Sequence, residues 1–173
     1  ISGDNVITFN TLADGSYNNI KITVTDACGN VSNTLNVTPF TIDTIAPTIS
    51  EVTSVTTPTT DTTPQYTFES NEAGTIDISN ASSSTTQAIS GNNVIVFSTL
   101  TGGTYNNITI TVTDAAGNVS NTLSVNEFKI IDATPPVISE KIAVPTITNN
   151  TTPQYTFESN EAGTIDVSNA TIS

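Results

Sequence analysis

The sequence predicts an all-β fold, and three observations support that prediction. No stretch of the 173 residues carries a convincing apolar period of 3.6, which an amphipathic α-helix needs. Several short stretches instead alternate apolar and polar residues with the period of 2 of a half-buried strand. Clusters of Gly, Asn, Ser, Pro and Thr separate these stretches, which is typical of the turns between strands.

The predicted strands lie between residues 47 and 128. In chain order, six of the roughly seven expected strands are PTISEVTSV, PQYTFES, GTIDIS, NVIVFS, NITITVT and NTLSVNEF. The side chains expected to face the core are Tyr66, Phe68, Ile76, Ile78, Ile95, Phe97, Ile108, Ile110, Val112, Leu123 and Val125. About seven short strands in about 88 residues is the size and rhythm of an immunoglobulin-like β-sandwich.

A tyrosine corner supports the same fold. Leu100-x-x-Gly103-x-Tyr105 has the spacing of a Tyr near the start of the sixth strand that bonds back to the preceding turn, and residues 12–17 repeat it. The Tyr is out of phase with the apolar side chains that follow. We therefore expect a β-bulge at residues 106–107.

The chain repeats itself with a period of about 88 residues. Residues 1–37 match residues 89–125 at 28 of 37 positions, and residues 62–81 match residues 151–170 at 19 of 20 positions. This period is too long for a solenoid and fits whole small domains in an array. The fold prediction is therefore tandem immunoglobulin-like β-sandwich domains.

Pro-containing linkers place the domain boundaries. Cutting at DTIAP and DATPP gives the C-terminal half of one repeat (1–43), a complete repeat (44–132) and the N-terminal half of the next (133–173). With no initiator Met, we expect an internal stretch of a longer protein. Two alternatives stay open: a window on a long array, or half-repeats that complete one another between molecules.

Composition excludes several functions. Sixteen acidic residues face three lysines, for a net charge of -13, so nucleic acid is not an expected partner. No apolar run approaches the roughly 18 residues of a membrane span. The single cysteine, Cys28, aligns with Ala116, so we expect neither a disulfide scaffold nor a catalytic thiol. The chain has no His and no Lys in its loops, so we expect neither an enzyme nor a small-molecule substrate.

Strand order predicts that three acidic residues meet at one pole of the complete repeat. Asp43 lies in the entering linker, Glu72 lies in the loop between the second and third strands, and Asp114 lies in the loop between the sixth and seventh. Asn71 and Asn118 are expected nearby. Calcium takes six to eight oxygen ligands and would offset the repulsion. Ordinary turn chemistry, in which Asp begins a turn and Gly-Asn ends it, explains the same residues, and both interpretations stay open.

The phrases FTIDTIAPTIS, TTDTTPQYTFESNEAGTI and TVTDAAGNVS resemble those of bacterial Ig-like (BIg) domain repeats in giant surface adhesins. The resemblance covers essentially the whole chain. It implies long rods of domains with calcium at the junctions. The implied metal ligands here are Asp43, Glu72 and Asp114, then Asp132 and Glu161 at the next junction, and Asp26 at a junction before Ile1.

The expected function is a spacer or stalk of a secreted or surface-anchored bacterial adhesin, outside the cell, with neighbouring repeats as its partners. The alternative is a repeating subunit of an extracellular filament, sheath or surface layer. Pairing of residues 133–173 with residues 1–43 between molecules would distinguish the two.

Overall fold

The computed structural model describes residues 2–169. Ile1, the first residue of the predicted segment 1–43, lies outside the described residues, and so do residues 170–173, the last of the predicted segment 133–173. The chain forms two compact units, residues 1–131 and 132–173. Residues 2–169 contain β-strands and no helix, so the all-β prediction is confirmed. No helix in this described part is long and apolar enough to cross a membrane.

The first part of the larger unit, residues 2–43, contains four short strands. They are β1 (Gly15–Tyr17), β2 (Lys21–Ile22), β3 (Leu35–Asn36) and β4 (Phe40–Ile42). β1 pairs antiparallel with β4, and β2 pairs antiparallel with β3. This part therefore consists of two separate two-stranded ribbons.

The rest of the larger unit contains nine strands. They are β5 (Ile49–Thr53), β6 (Gln65–Ser70), β7 (Gly74–Ser79), β8 (Gln87–Ala88), β9 (Gly91–Val96), β10 (Gly103–Tyr105), β11 (Thr109–Thr113), β12 (Leu123–Ser124) and β13 (Phe128–Ile130). Every predicted strand segment contains at least part of one of them. The segment NTLSVNEF holds β12 and the start of β13, because its middle residues leave the first ladder before the second begins.

Two antiparallel sheets of this region pack on one core, an arrangement consistent with a β-sandwich. One sheet has the order β5-β6-β9 and the other has the order β12-β11-β7-β8. A third antiparallel pair, β10-β13, is extended by a parallel bridge from Thr59 to Ile130. The side-chain amide of Asn121 donates to the Ile49 carbonyl at 2.9 Å and accepts from the Ile49 amide at 2.9 Å. This residue ties the β5 edge to the loop before β12.

The core contains the side chains that the period-2 pattern predicts. Among the predicted residues, the buried ones are Tyr66, Phe68, Ile76, Ile95, Phe97, Ile108, Ile110, Val112 and Val125, and Ile78 and Leu123 pack partly buried against them. Phe128 and Ile130 of β13 join the same cluster. The core thus draws on residues both before and after position 89, which matters for the flanking half-repeats.

The tyrosine corner is present. The β-bulge predicted at residues 106–107 is wrong: a break between two strands there accounts for the phase slip in the apolar pattern. The Tyr105 hydroxyl donates to the Thr101 carbonyl at 2.9 Å, and that of Tyr17 donates to the Ala13 carbonyl at 2.8 Å. Between β10 and β11 the strand breaks, with Asn107 in the left-handed region at φ 58°. β10 pairs with β13 whereas β11 pairs with β7 and β12, so the chain changes sheets there and no continuous ladder needs a bulge.

The smaller unit, described over residues 132–169, contains two strands. They are β14 (Ile138–Ile142) and β15 (Thr156–Ser159), which pair antiparallel with a register shift between Glu140 and Ile142. β5 and β6 show the same shift between Glu51 and Thr53. The hairpin of the complete repeat is therefore reproduced in the smaller unit.

Candidate metal centre

Three acidic side chains of the larger unit meet at the start of the complete repeat. Asp43 follows β4, Glu72 lies in the turn from β6 to β7, and Asp114 follows β11. One carboxylate oxygen from each lies within 4.8 Å of the other two, and all three side chains are half-buried. The structure thus brings together the three acids that strand order places at one pole, and we call this group the junction triad.

The Asp-x-x-Gly-Asn corner holds Asp114 in place through local hydrogen bonds. Its Oδ1 accepts from the amides of Ala116 at 2.8 Å and Asn118 at 2.9 Å, and its Oδ2 accepts from Asn118 Nδ2 at 2.8 Å. Gly117 takes φ 95°, a conformation that L side chains rarely adopt. The Asn118 side chain and these amides hold the pKa of Asp114 below its usual value of 3.8, against the opposing effect of desolvation. The carboxylate stays ionised, as a metal ligand requires.

Asn118 also connects this corner to the linker. Its Nδ2 donates to the Asp43 carbonyl at 3.2 Å as well as to the Asp114 carboxylate. Asp43 fixes its own segment, because its Oδ1 accepts from the Ile45 amide at 3.1 Å. Asn118 lies near the triad as expected, and in this structure its amide nitrogen orients the linker against the corner.

The Glu72 turn is tied to the linker by a second asparagine. Asn71 Oδ1 accepts from the Thr48 amide at 2.6 Å, and the Asn71 amide donates to the Thr48 carbonyl at 3.2 Å. Asn71 Nδ2 lies 3.4 Å from Glu72 Oε1. Ser70 closes the turn, since its hydroxyl donates to the Glu72 carbonyl at 2.6 Å. Each of the two asparagines thus joins one loop to the linker that carries Asp43.

The oxygen spacing allows the three carboxylates to share one cation. Calcium binds oxygen at about 2.3–2.6 Å, so two of its ligand oxygens lie at most about 4.6–5.2 Å apart. The three carboxylate oxygens of the junction triad lie within 4.8 Å of one another, which is compatible with that limit. The donors are all carboxylate oxygens, the ligand type that calcium prefers over the nitrogen and sulfur ligands of zinc.

Asp14, in the preceding half-repeat, hydrogen-bonds to the linker. Comparison of the two repeats does not predict this role. Its Oδ1 accepts from the Thr44 amide at 3.1 Å and from the Thr44 hydroxyl at 2.9 Å. The repeat counterpart of Asp14 is Gly102, so comparison of the copies assigns it no shared role. Its position in the loop facing the linker was the available signal. Asp14 fixes the residue next to Asp43 and so joins the two sides of the junction.

The other three predicted ligands make the same local hydrogen bonds as their counterparts, but within the described residues they belong to no group of three acids. Asp26 accepts from Cys28, Asn30 and the Asn30 side chain at 2.8–2.9 Å, and the Asn30 side chain contributes most to lowering its pKa. Asp132 Oδ1 accepts from the Thr134 amide at 2.9 Å. Glu161 sits in a turn closed by Ser159, as Glu72 is by Ser70. Within residues 2–169, the junction triad is the one acidic group that meets the geometric requirement for a metal.

Comparisons with known proteins do not place the chain in a family. A scan against models of protein families finds no match, and a search of curated proteins finds none similar to it.

Proposed function

We propose that this chain is part of the spacer, or stalk, of a large secreted or surface-anchored bacterial adhesin, built from tandem domains similar to bacterial Ig-like repeats. Its role is mechanical: each added repeat increases the distance between the cell and a binding domain elsewhere in the protein. Near-identical copies favour this role, because a spacer needs length more than it needs a distinct surface on each domain. Its proposed partners are the neighbouring repeats.

The junction triad is the observation that carries the proposal. A calcium ion held by Asp43, Glu72 and Asp114 would join the linker to two loops of the following domain. The asparagine bonds already hold the same three segments together. An ion there would remove the remaining freedom of the linker, so that successive domains move as one rod. In chelator, the three carboxylates repel one another and the linker loosens.

A calcium-dependent melt tests this function. We expect the 173-residue chain to melt at a higher temperature in millimolar calcium than in excess chelator. A ligand at 100 times its dissociation constant stabilises the folded state by about 2.7 kcal/mol. Asp43→Ala and Asp114→Asn remove the calcium-dependent rise because each removes a ligand charge.

Asp26→Asn is the matched control for Asp114→Asn. Asp26 accepts the same turn hydrogen bonds but has no partner acids in the described structure, so its removal leaves the calcium response of the Asp43 junction intact. Identical melting temperatures of the parent chain in calcium and in chelator would show that the Asp-x-x-Gly-Asn residues only form a turn and that the junction triad does not bind calcium. Scattering in solution adds a second measurement, since a loosened linker lowers the maximum dimension of the particle.

A second candidate function, the repeating subunit of an extracellular filament, sheath or surface layer, is favoured by a different observation. Both flanking half-repeats expose apolar side chains that the complete repeat buries. Val24 is 61% exposed and Ile165 is 55% exposed, whereas their counterparts Val112 and Ile76 are 0% and 7% exposed. Head-to-tail assembly of copies would cover both faces, as would adjoining repeats of a longer chain.

A further inference from the structure

The junction triad can fix the linker to one side of the junction only. Asp43 lies in the linker, and Glu72 and Asp114 lie in the repeat that follows it. Both asparagines that hold the linker, Asn71 and Asn118, belong to that same repeat. A calcium ion bound by the triad would therefore hold the linker on the following repeat and would make no contact with residues 2–42.

The sheets and the core do not join the two sides of the junction either. Within residues 2–169, the ladders that involve β1–β4 pair these four strands with one another. The core cluster of the complete repeat extends from Ile49 to Ile130 and, in the described chain, includes no side chain of residues 2–42. A rigid junction therefore needs a contact that binds the linker from the preceding side.

Asp14 provides a contact of this kind. Gly15 pairs with Ile42 in the β1–β4 ladder, so Asp14 stands one residue beyond the ladder, at the end from which the linker leaves. Its Oδ1 accepts from the Thr44 amide at 3.1 Å and from the Thr44 hydroxyl at 2.9 Å. Its Oδ2 lies 3.1 Å from the same hydroxyl. One carboxylate thus holds both the backbone and the side chain of the residue after Asp43.

This contact is separate from the metal ligands. Asp43 Oδ1 accepts from the Ile45 amide at 3.1 Å, whereas Asp14 takes its donors from Thr44. The two carboxylates therefore do not compete for the same donors. No atom of the Asp14–Thr44 contact belongs to the junction triad, so the contact itself needs no cation.

We propose that Asp14 and Thr44 form a latch that ties the linker to the preceding half-repeat, and that latch and calcium together make the junction rigid. The latch fixes the linker on one side without a cation, and the triad fixes it on the other side when calcium is bound. Calcium at the triad is part of the proposed spacer function, so the rigid junction rests on that function, whereas the latch alone does not. Without the latch, calcium orders the linker on its own repeat while the preceding half-repeat still turns.

The latch acts on the motion of the linker more than on the stability of the fold. A hydrogen bond to a charged group is stronger than one between neutral groups. Asp14 and Thr44 are both exposed, however, so water competes for the carboxylate and for its donors. We therefore expect loss of the latch to change the dynamics of the junction, with little change in the melting temperature.

The next junction, at Asp132, lacks the latch. Gly102 is the counterpart of Asp14, and Ala133 is the counterpart of Thr44. Glycine has no side-chain acceptor, and alanine has no side-chain donor. Both members of the pair are thus replaced together, as expected of two side chains that act on each other. The acids of a junction and its latch are therefore separate features.

Residual dipolar couplings of the 173-residue chain test the proposal. They report whether the amides of the β1–β4 pair and those of the β12-β11-β7-β8 sheet share one alignment. In calcium, we expect both sets of the parent chain to fit a single alignment tensor. Asp14→Ala removes the latch, so the couplings of the β1–β4 pair fall well below those of the sheet. The calcium-dependent rise in melting temperature persists in this variant, because all three triad acids remain.

Exchange of the Thr44 amide with water gives a local measurement that needs no calcium. In excess chelator, Asp14→Ala speeds this exchange by about 2- to 12-fold, the equivalent of one hydrogen bond. Asp14→Asn is the matched control, because it removes the same charge and keeps an acceptor oxygen for the amide. It therefore preserves most of the protection. Equal effects of the two variants would assign the change to the charge alone and overturn the latch.

The latch and the metal site can fail separately. Asp114→Asn removes the calcium response of the melting temperature and leaves the Thr44 amide protected. A parent chain without a calcium response, in which Asp14→Ala still exposes the Thr44 amide, refutes the metal site and upholds the latch. Unchanged couplings and unchanged exchange in Asp14→Ala overturn the latch, whatever the calcium response. A parent chain whose β1–β4 pair does not share the alignment of the sheet in calcium overturns the rigid junction.

Discussion

Residues 62–80 and residues 151–169 differ at one position, yet the two copies have different environments. Tyr66 and Phe68 are fully buried, whereas Tyr155 is 54% exposed and Phe157 is half-buried. GTIDIS at residues 74–79 is a six-residue strand, and GTIDVS at residues 163–168 is not a strand. Because the sequences are nearly the same, the difference comes from the neighbours that each copy has.

Some features survive in both copies, and these are the local ones. The β5–β6 hairpin and the β14–β15 hairpin share their register, including its shift. The tyrosine corner forms in residues 2–43 as it does in the complete repeat. The Asp-x-x-Gly-Asn corner keeps its bonds at both Asp26 and Asp114. Hydrogen bonds between residues close in sequence need no second half, whereas apolar burial and long ladders do.

The largest expected contrast lies in the core. Ile95→Ala removes a side chain that is fully buried and costs about 2–5 kcal/mol of unfolding free energy. Ile7→Ala makes the same change at the counterpart, which is 55% exposed, and costs well under half as much. Urea unfolding of both variants measures the difference. Equal losses would show that Ile7 is covered in solution.

A smaller contrast is expected at two glycines. Gly74→Ala forces the β7 backbone away from the Thr113 carbonyl and the Val112 side chain, an overpacking that costs about 1–3 kcal/mol. Gly163→Ala, with open space around it, instead stabilises by about 0.4–1 kcal/mol through the unfolded chain. Thermal melts of the two variants give the sign of each effect. A destabilising Gly163→Ala would mean that another part of the protein lies close to this segment in solution.

Two tyrosines of the complete repeat provide a third, more modest test. Tyr105→Phe removes the hydrogen bond to Thr101 and costs about 0.5–1.5 kcal/mol. The buried Tyr66 hydroxyl has no partner in good hydrogen-bond geometry, and burial, followed by an interaction with the Glu51 carboxylate close to it, raises its pKa. Tyr66→Phe therefore costs less than Tyr105→Phe, because it removes no well-formed hydrogen bond. Chemical denaturation of both variants checks the order, which a larger loss for Tyr66→Phe would reverse.

The smallest effect concerns the two Asp corners. Asn118→Ala raises the pKa of Asp114 towards 3.8, and Asn30→Ala does the same for Asp26, because each asparagine side chain contributes most to the lowered pKa. NMR titration of the two carboxyl groups measures both shifts. Similar shifts in the two copies would confirm that this corner is local, and a shift at Asp114 alone would show that it depends on the complete repeat.

The sign of the pH effect follows from the same bonds. A carboxyl group whose folded pKa lies below its unfolded value stabilises the fold above the unfolded pKa, here near 3.8. That contribution is lost as the pH falls from there through the folded pKa. Asn118→Ala and Asn30→Ala therefore make acid unfolding less steep, each in its own copy.

Much of the complete repeat was predictable because its signals are periodic. Alternation identified the buried face of β6, β7, β9 and β11, and spacing identified the tyrosine corner. The change of sheet between β10 and β11 was not predictable, because a phase slip in the sequence fits either a bulge or a break. The two-residue strand β8 carries too few residues to show a period.

Part of the candidate metal centre was also predictable from the sequence, and part was visible only in the structure. Strand order was enough to place Asp43, Glu72 and Asp114 at one pole, and the structure brings their carboxylates within 4.8 Å. The donation of Asn118 to the Asp43 carbonyl joins residues 75 positions apart, and only the folded arrangement shows it. Asp14 was discounted because its counterpart is Gly102, although its contact with Thr44 depends on position and needs no shared counterpart.

The sequence by itself determined the repeat, the tyrosine and Asp corners and the alternation of core-facing side chains, because period, glycine placement and short-range hydrogen bonds are properties of residues close in sequence. The tertiary structure alone decided which of two nearly identical segments is buried and forms its full set of strands. Burial depends on the apolar surface that arrives from elsewhere in the chain, and residues 44–131 contain both halves of a core whereas residues 2–43 and 133–169 each contain one.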